Sequence, residues 1–204
     1  TFDYAFGEAG LDFITLTDYV TDSAWGEIGR HRVGRHLVGR SSEVITYRGH
    51  TNNQLSGRYV DYRTGPVYDL AADGGLSLRR PAQPASRILR DVRRAGGFTQ
   101  INHPTIFPSA NPLFAMLCRG CPWDYSAQET NYRLVDAIEV NTGPQKIGEA
   151  PNPFTNTAID FYEGLVGGRA CMRKPSRSAS VSMPSATSRQ SDWRAKYTIP
   201  AIRA

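Results

Sequence analysis

The chain has 204 residues, 40% of them apolar and 21% charged, enough for one domain with a sizeable core. Its net charge of +5 is unevenly spread: residues 169–204 hold eight basic side chains and one acid, a net +7, so residues 1–168 come to −2. A mildly acidic body argues against a nucleic-acid binder. No run approaches the roughly 18–20 continuous apolar residues of a membrane span, and no secretory leader is read at the start, so a soluble protein, with the cytoplasm favoured, is expected.

Taken in chain order, residues 2–9 read as the end of a helix and 12–17, rich in β-branched side chains, as a buried strand ending at Asp18. A helix is expected around 25–35, then a strand-like stretch over 37–47 interrupted between Gly39 and Ser42. Residues 59–62 and 67–70 flank Thr64, Gly65 and Pro66, which suggests a hairpin. Residues 84–95 give the clearest helix: Ile88, Leu89 and Val92 form an apolar stripe, arginines cover the other face, and Gly96 and Gly97 stop it. Strands are expected at 98–102, ending at His103, and at 135–141, ending at Thr142. A further helix over 155–166 carries Ala158, Ile159, Tyr162 and Leu165 at helical spacing.

Helices alternating with strands predict a parallel α/β sheet with crossover helices. After Gly168 the pattern stops, and residues 173–204 contain seven serines with no sustained period. The expected organisation is one domain over 1–168 and a basic, serine-rich tail over 169–204 that is disordered or read from a shifted frame. Cys118 and Cys121 have CxxC spacing but no second pair to complete a zinc site. They follow a short helical pattern over 113–117 rather than opening a helix after a strand, so a structural role, as free thiols or as a local disulfide, is favoured over redox catalysis.

Chemistry-bearing side chains collect at strand ends, where parallel α/β proteins place their sites. Asp18 follows the first strand, Glu43 and His50 bracket the segment 44–47, and His103 follows the strand at 98–102. Carboxylates with imidazoles suit Zn, Mn or Fe, and two or three such ions about 3.5–4 Å apart can activate water against a phosphate-like group. Each residue also has a plain structural reading: Asp18 as a loop cap, Glu43 as a paired carboxylate, His50 as a loop histidine beside Gly49, and His103 as a satisfied core group. His31 and His36 lie in an arginine-rich stretch and read as surface residues.

Several segments resemble, in order, those of the PHP superfamily, the polymerase and histidinol phosphatase metallohydrolases. Gly10-Leu-Asp-Phe-Ile-Thr-Leu-Thr-Asp18-Tyr19 resembles its G-x-D-x-I-x-x-T-D-H segment, and Ser42-Glu43 through His50 its second glutamate and following histidine. Gly96 through His103-Pro104 is similar to its G-G-x-x-x-x-x-H-P segment, and Asp136-Ala-Ile-Glu-Val to a late strand. The stretches at 118–125 and 152–163 look like the carbaryl-hydrolase-like branch. The resemblance covers roughly residues 8 to 167.

The resemblance implies a distorted seven-stranded (β/α) barrel, incomplete here, its first and last strands missing. It implies up to three divalent metal ions and attack by a metal-bound hydroxide on a small-molecule phosphoester or related ester or carbamate. Carried over, Asp18, Glu43, His50 and His103 are metal ligands, Glu43 and His103 the catalytic pair, and Arg48 a contact for an anionic substrate group. The chain departs from the family at Tyr19, where the family has histidine, and it has no His-x-His pair and no late Asp-x-His. Those departures imply fewer ions than three, and they leave a second reading open: a catalytically inactive fragment or binding remnant.

Overall fold

The computed structural model describes residues 2–30, 36–108, 111–118, 120–144 and 146–172. The expected tail lies outside the described residues from 173 onward, as does the end of the helix expected near 25–35. A π-helical turn, Tyr4–Glu8, precedes β1 (Phe13–Leu16) and a 3-10 helix, Ser23–Arg30. Then come β2 (Leu37–Thr46), β3 (Gly49–Gln54), β4 (Val67–Leu70), β5 (Leu76–Arg80), α1 (Ala85–Arg94) and β6 (Phe98–Ile101). The chain continues through α2 (Pro112–Leu117), a 3-10 turn at Tyr132–Leu134, β7 (Ala137–Ile138), β8 (Lys146–Ile147), β9 (Ala150–Pro151) and α3 (Pro153–Met172). Among the described residues no helix is long and apolar enough to cross a membrane.

The main sheet has five strands in the order β1-β2-β3-β6-β7, and its outer strands do not pair with each other. This corrects the expected barrel: the described fold is an open, mixed α/β sheet. β1 pairs with β2 and β6 with β7 in parallel, but β3 runs antiparallel to both its neighbours. The cause is local. Only Tyr47 and Arg48 separate β2 from β3, and so short a link can only fold the chain back as a hairpin, never carry it across to a parallel neighbour. Residues 49–54, absent from the strands expected of the sequence, become the third strand.

A second hairpin also differs from expectation. β4 pairs with β5, not with residues 59–62. The turn is built by Asp73, whose Oδ1 accepts the Gly75 N–H at 2.9 Å, and by Gly74 at φ +84°. An Asp-Gly pair suits this reversal, because glycine enters the left-handed region at little cost.

The apolar stripe of α1 packs on one face of the sheet. Ile88 and Val92 join Val44 of β2 and Val60, and Ala85 joins Ile101, Trp123 and Tyr125. Each fully buried Val, Leu or Ile contributes roughly 1.5–3 kcal/mol relative to exposure. Strand side chains alternate between faces, so with Val44 turned to the helix, Glu43 turns to the other face. Its cross-strand partner is Asn52, and His50 stands opposite Ile45. Beyond the end of β6, Asn102 donates to both Glu43 Oε1 and Asn52 Oδ1 at 2.9 Å. One face of the sheet is therefore core, and the other gathers polar groups.

Candidate functional site

β2 supplies Glu43, β3 supplies His50, and the residue two past β6 is His103. Glu43 Oε1 stands 3.3 Å from His50 Nδ1 and 3.6 Å from His103 Nε2. The two rings meet edge to face with centroids 5.0 Å apart. Glu43 is 9% and His50 6% exposed, so the cluster lies beneath the surface.

His103 adopts φ +29°, a region that residues with a side chain seldom enter and that costs on the order of 1–3 kcal/mol. Two contacts hold it there. Glu139 Oε2 accepts its backbone N–H at 3.0 Å, and the Cys121 carbonyl lies 3.0 Å from Nδ1. A carbonyl only accepts, so Nδ1 carries the proton, and Nε2 is the lone-pair nitrogen of the neutral ring, facing Glu43.

Burial works against a charge on Glu43, but contacts with His103 and His50 and the Asn102 amide outweigh it and hold the carboxyl at about 2. Burial likewise opposes a proton on His103, yet Glu43, Glu139 and the Cys121 carbonyl raise its pKa above the ordinary imidazole value. The Glu43 carboxylate thus favours a protonated His103 ring beside it.

One feature separates this arrangement from a satisfied buried ion network. His50 Nε2 is buried with no hydrogen-bond partner, although buried polar atoms are almost always paired. Two donors bound to a tetrahedral ion at 2.0–2.2 Å also lie roughly 3.3–3.6 Å from each other, the spacing seen from Glu43 to each histidine. Carboxylate and imidazole are donor types that suit a divalent ion. Ring nitrogens of His50 and His103 and the Cys121 sulfur all lie within 4.8 Å of one another, but Cys121 is joined to Cys118 in a disulfide.

The remaining expected residues stand elsewhere. Asp18 is exposed, and its link to the cluster is through the main chain, where its carbonyl accepts the Glu43 N–H at 3.0 Å. Tyr19 forms an isolated parallel bridge with Glu43 while its side chain is 67% exposed. Arg48 is engaged at the β2–β3 turn: it donates to Glu129 at 2.5 and 2.7 Å and to the Asp124 carbonyl at 3.0 Å, and lies over Tyr125. Its guanidinium is a strut between segments rather than an open anion contact.

Sequence reasoning passed over Asn102, Glu139 and the Cys121 carbonyl, which orient the cluster. The signals were present, because Asn102 adjoins His103 and Glu139 lies in the Asp-Ala-Ile-Glu-Val stretch. Nor did it find the cleft of about 1140 Å³ alongside β2, lined by Tyr19, Ile45, Tyr47, Tyr62 and Arg80 among others. None of Glu43, His50 and His103 lines the cleft, but Ile45, which does, is the register partner of His50. Arg80 Nε is buried there without a partner. No family model matches the chain, and no curated protein or solved structure gives a significant match.

Proposed function

We propose that the chain is a metal-dependent hydrolase of PHP type, directing water onto a phosphoester or a related ester or carbamate. The observation that carries this reading is the convergence of His50 Nδ1 and His103 Nε2 on the Glu43 carboxylate, with the far nitrogen of His50, Nε2, buried and unpartnered. The order of the PHP-like segments supports it, and the proposal requires no closed barrel.

Glu43, His50 and His103 would hold a Zn, Mn or Fe ion. The bound ion supplies Lewis acidity, which acidifies water and polarises an ester oxygen. The chain's own groups do the positioning. Asn102 fixes the Glu43 carboxylate, while Glu139 and the Cys121 carbonyl fix the His103 ring, the outer-shell support that tunes metal ligands. A carboxyl held at about 2 is a poor proton acceptor, so Glu43 serves as a ligand rather than a general base. His103 must surrender its proton when it ligates, which links ion uptake to pH. The aromatic walls of the cleft would seat the body of a substrate, and Arg80 would receive an anionic group.

A second reading, a remnant that binds an ion without turnover, is favoured by the outward placement of Asp18 and Tyr19. Purification from Mn- or Zn-supplemented medium, metal analysis and p-nitrophenyl phosphate hydrolysis separate the two. About one ion per chain with turnover is expected. One ion without turnover selects the remnant, and less than one tightly bound ion defeats both.

A further inference from the structure

The Cys118–Cys121 disulfide sits against the cluster, and the proposed function leaves its sulfur unused. Cys121 is buried, and its Sγ shares the 4.8 Å neighbourhood with ring nitrogens of His50 and His103. The Nε2 of His50, the ring nitrogen turned away from Glu43, is unpartnered on a side chain more than nine-tenths buried, and so is available to a ligand. The loop that presents Cys121 is fastened on both sides. Gly120 has φ +82°, and a Cβ there would overlap the Thr46 carbonyl oxygen, so the backbone runs directly against β2. Two residues on, the Trp123 N–H donates to the Pro104 carbonyl at 2.8 Å. Cys121 is therefore held beside the histidines by its backbone as well as by the disulfide.

We propose that this disulfide is a redox gate on the metal site: once reduced, Cys121 joins His50 and His103 as a thiolate ligand for Zn²⁺. The inference rests on the reading of Glu43, His50 and His103 as an ion site. A disulfide sulfur carries no charge to offer a cation, whereas a thiolate is a strong ligand for zinc. Oxidised, the chain presents a carboxylate and two imidazoles, a set that also suits Mn or Fe. Reduced, it presents a nitrogen–sulfur set that selects Zn.

The chemistry needs a dithiol reductant. One of its thiolates attacks the sulfur of Cys118, the less buried residue of the pair, and forms a mixed disulfide there while Cys121 leaves as thiolate. The second thiol of the reductant resolves the mixed disulfide, freeing the Cys118 thiol. Two electrons pass to the protein pair, and the reductant leaves as its own disulfide. Any proton taken up by the Cys121 thiolate returns to solvent when the ion binds.

The test uses the full chain with Cys171→Ser, so that only the pair can supply a thiolate. Co²⁺, a spectroscopic stand-in for Zn²⁺, is added to oxidised and to phosphine-reduced protein. Near-ultraviolet thiolate-to-cobalt charge transfer is recorded, and Zn²⁺ affinity is measured by competition, with circular dichroism to establish that both forms are folded. A charge-transfer band only after reduction, with Zn²⁺ bound at least tenfold tighter, is the expected result. Cys118→Ser should show the band without reductant, and Cys121→Ser should never show it. If Co²⁺ binds both forms alike with no band, the gate is wrong and the ion site of Glu43 and the histidines stands. If Co²⁺ binds neither form, both fail. Loss of the band in Cys118→Ser would place the ion between the two sulfurs and overturn the assignment.

Discussion

The buried cluster on β2, β3 and β6 and the ion pair at the β2–β3 turn each hold a carboxyl at about 2, by opposite routes. At Glu43, burial is the largest influence and opposes the charge, so several polar neighbours must overcome it. At Glu129, the Arg48 guanidinium leads, the Ser126 N–H and hydroxyl follow, and burial opposes only weakly. What separates them is whether the partner can be exchanged. A guanidinium keeps its proton under all conditions in which the fold survives, so the Arg48 pair is permanent. An imidazole gives up its proton near neutrality and can take an ion in its place. Similar carboxyl acidity therefore marks a strut in one region and, on the proposed reading, an ion site in the other.

The largest expected effect comes from Glu43→Gln. It removes the charge that both imidazoles face, and Zn²⁺ or Mn²⁺ affinity should fall on the order of 100-fold by titration calorimetry. Chemical denaturation at neutral pH should show a loss of about 2 kcal/mol, the scale of hydrogen bonds to a charged group. Unchanged ion affinity would remove Glu43 from the ligand set.

Acid comes next. The Glu43 carboxyl is lowered from 4.5 to about 2, so its contribution is present above pH 4.5 and is lost as pH falls toward 2. At about 1.4 kcal/mol per unit, that contribution is on the order of 3 kcal/mol. His103 has the opposite sign: raised from 6.5, it stabilises the apo fold fully below that value and ceases to as pH climbs through its folded pKa. Denaturation of the apo protein across pH should show both limbs, and Glu43→Gln should flatten both. Persistence of the acid limb in that variant would assign it to other carboxylates.

Arg48→Met should cost no more than about 1 kcal/mol, because exposed pairs are screened by solvent and hold little net energy. It should leave ion affinity unchanged, whereas a substantial loss would tie Arg48 to the site. Added salt is the smallest perturbation. It should weaken the Arg48–Glu129 contribution by roughly a few tenths of a kcal/mol and leave the buried cluster unaffected.

The parts of this comparison were unequally legible in the sequence. The stripe Ile88, Leu89 and Val92 announced α1, because an amphipathic helix writes its buried face at a spacing of three and four. The strands around Ile14 and Ile101 were readable from their apolar content. β3 was not: Gly49-His-Thr-Asn-Asn-Gln54 is polar because its residues serve the polar face or hydrogen-bond within the fold, so it carries no apolar alternation. Missing it hid the hairpin and left the alternation reading as an all-parallel sheet, while the barrel was what the family resemblance implied. The residues Glu43, His50 and His103 could be named individually, but their convergence depends on the β2–β3 register, and the outward placement of Asp18 on how the chain leaves β1. Arg48 was visible as a cation near the site, while its partner Glu129 lies 81 positions away, beyond any local pattern.

The most direct measurement of the central claim is nitrogen-resolved NMR of the histidine side chains during Zn²⁺ addition to the metal-free, oxidised chain. The account predicts that His50 and His103 shift together and saturate near one equivalent, while His36, stacked on Phe6, does not move. If neither ring responds, or if His36 responds in their place, the buried cluster is a structural ion network and the metal site is wrong.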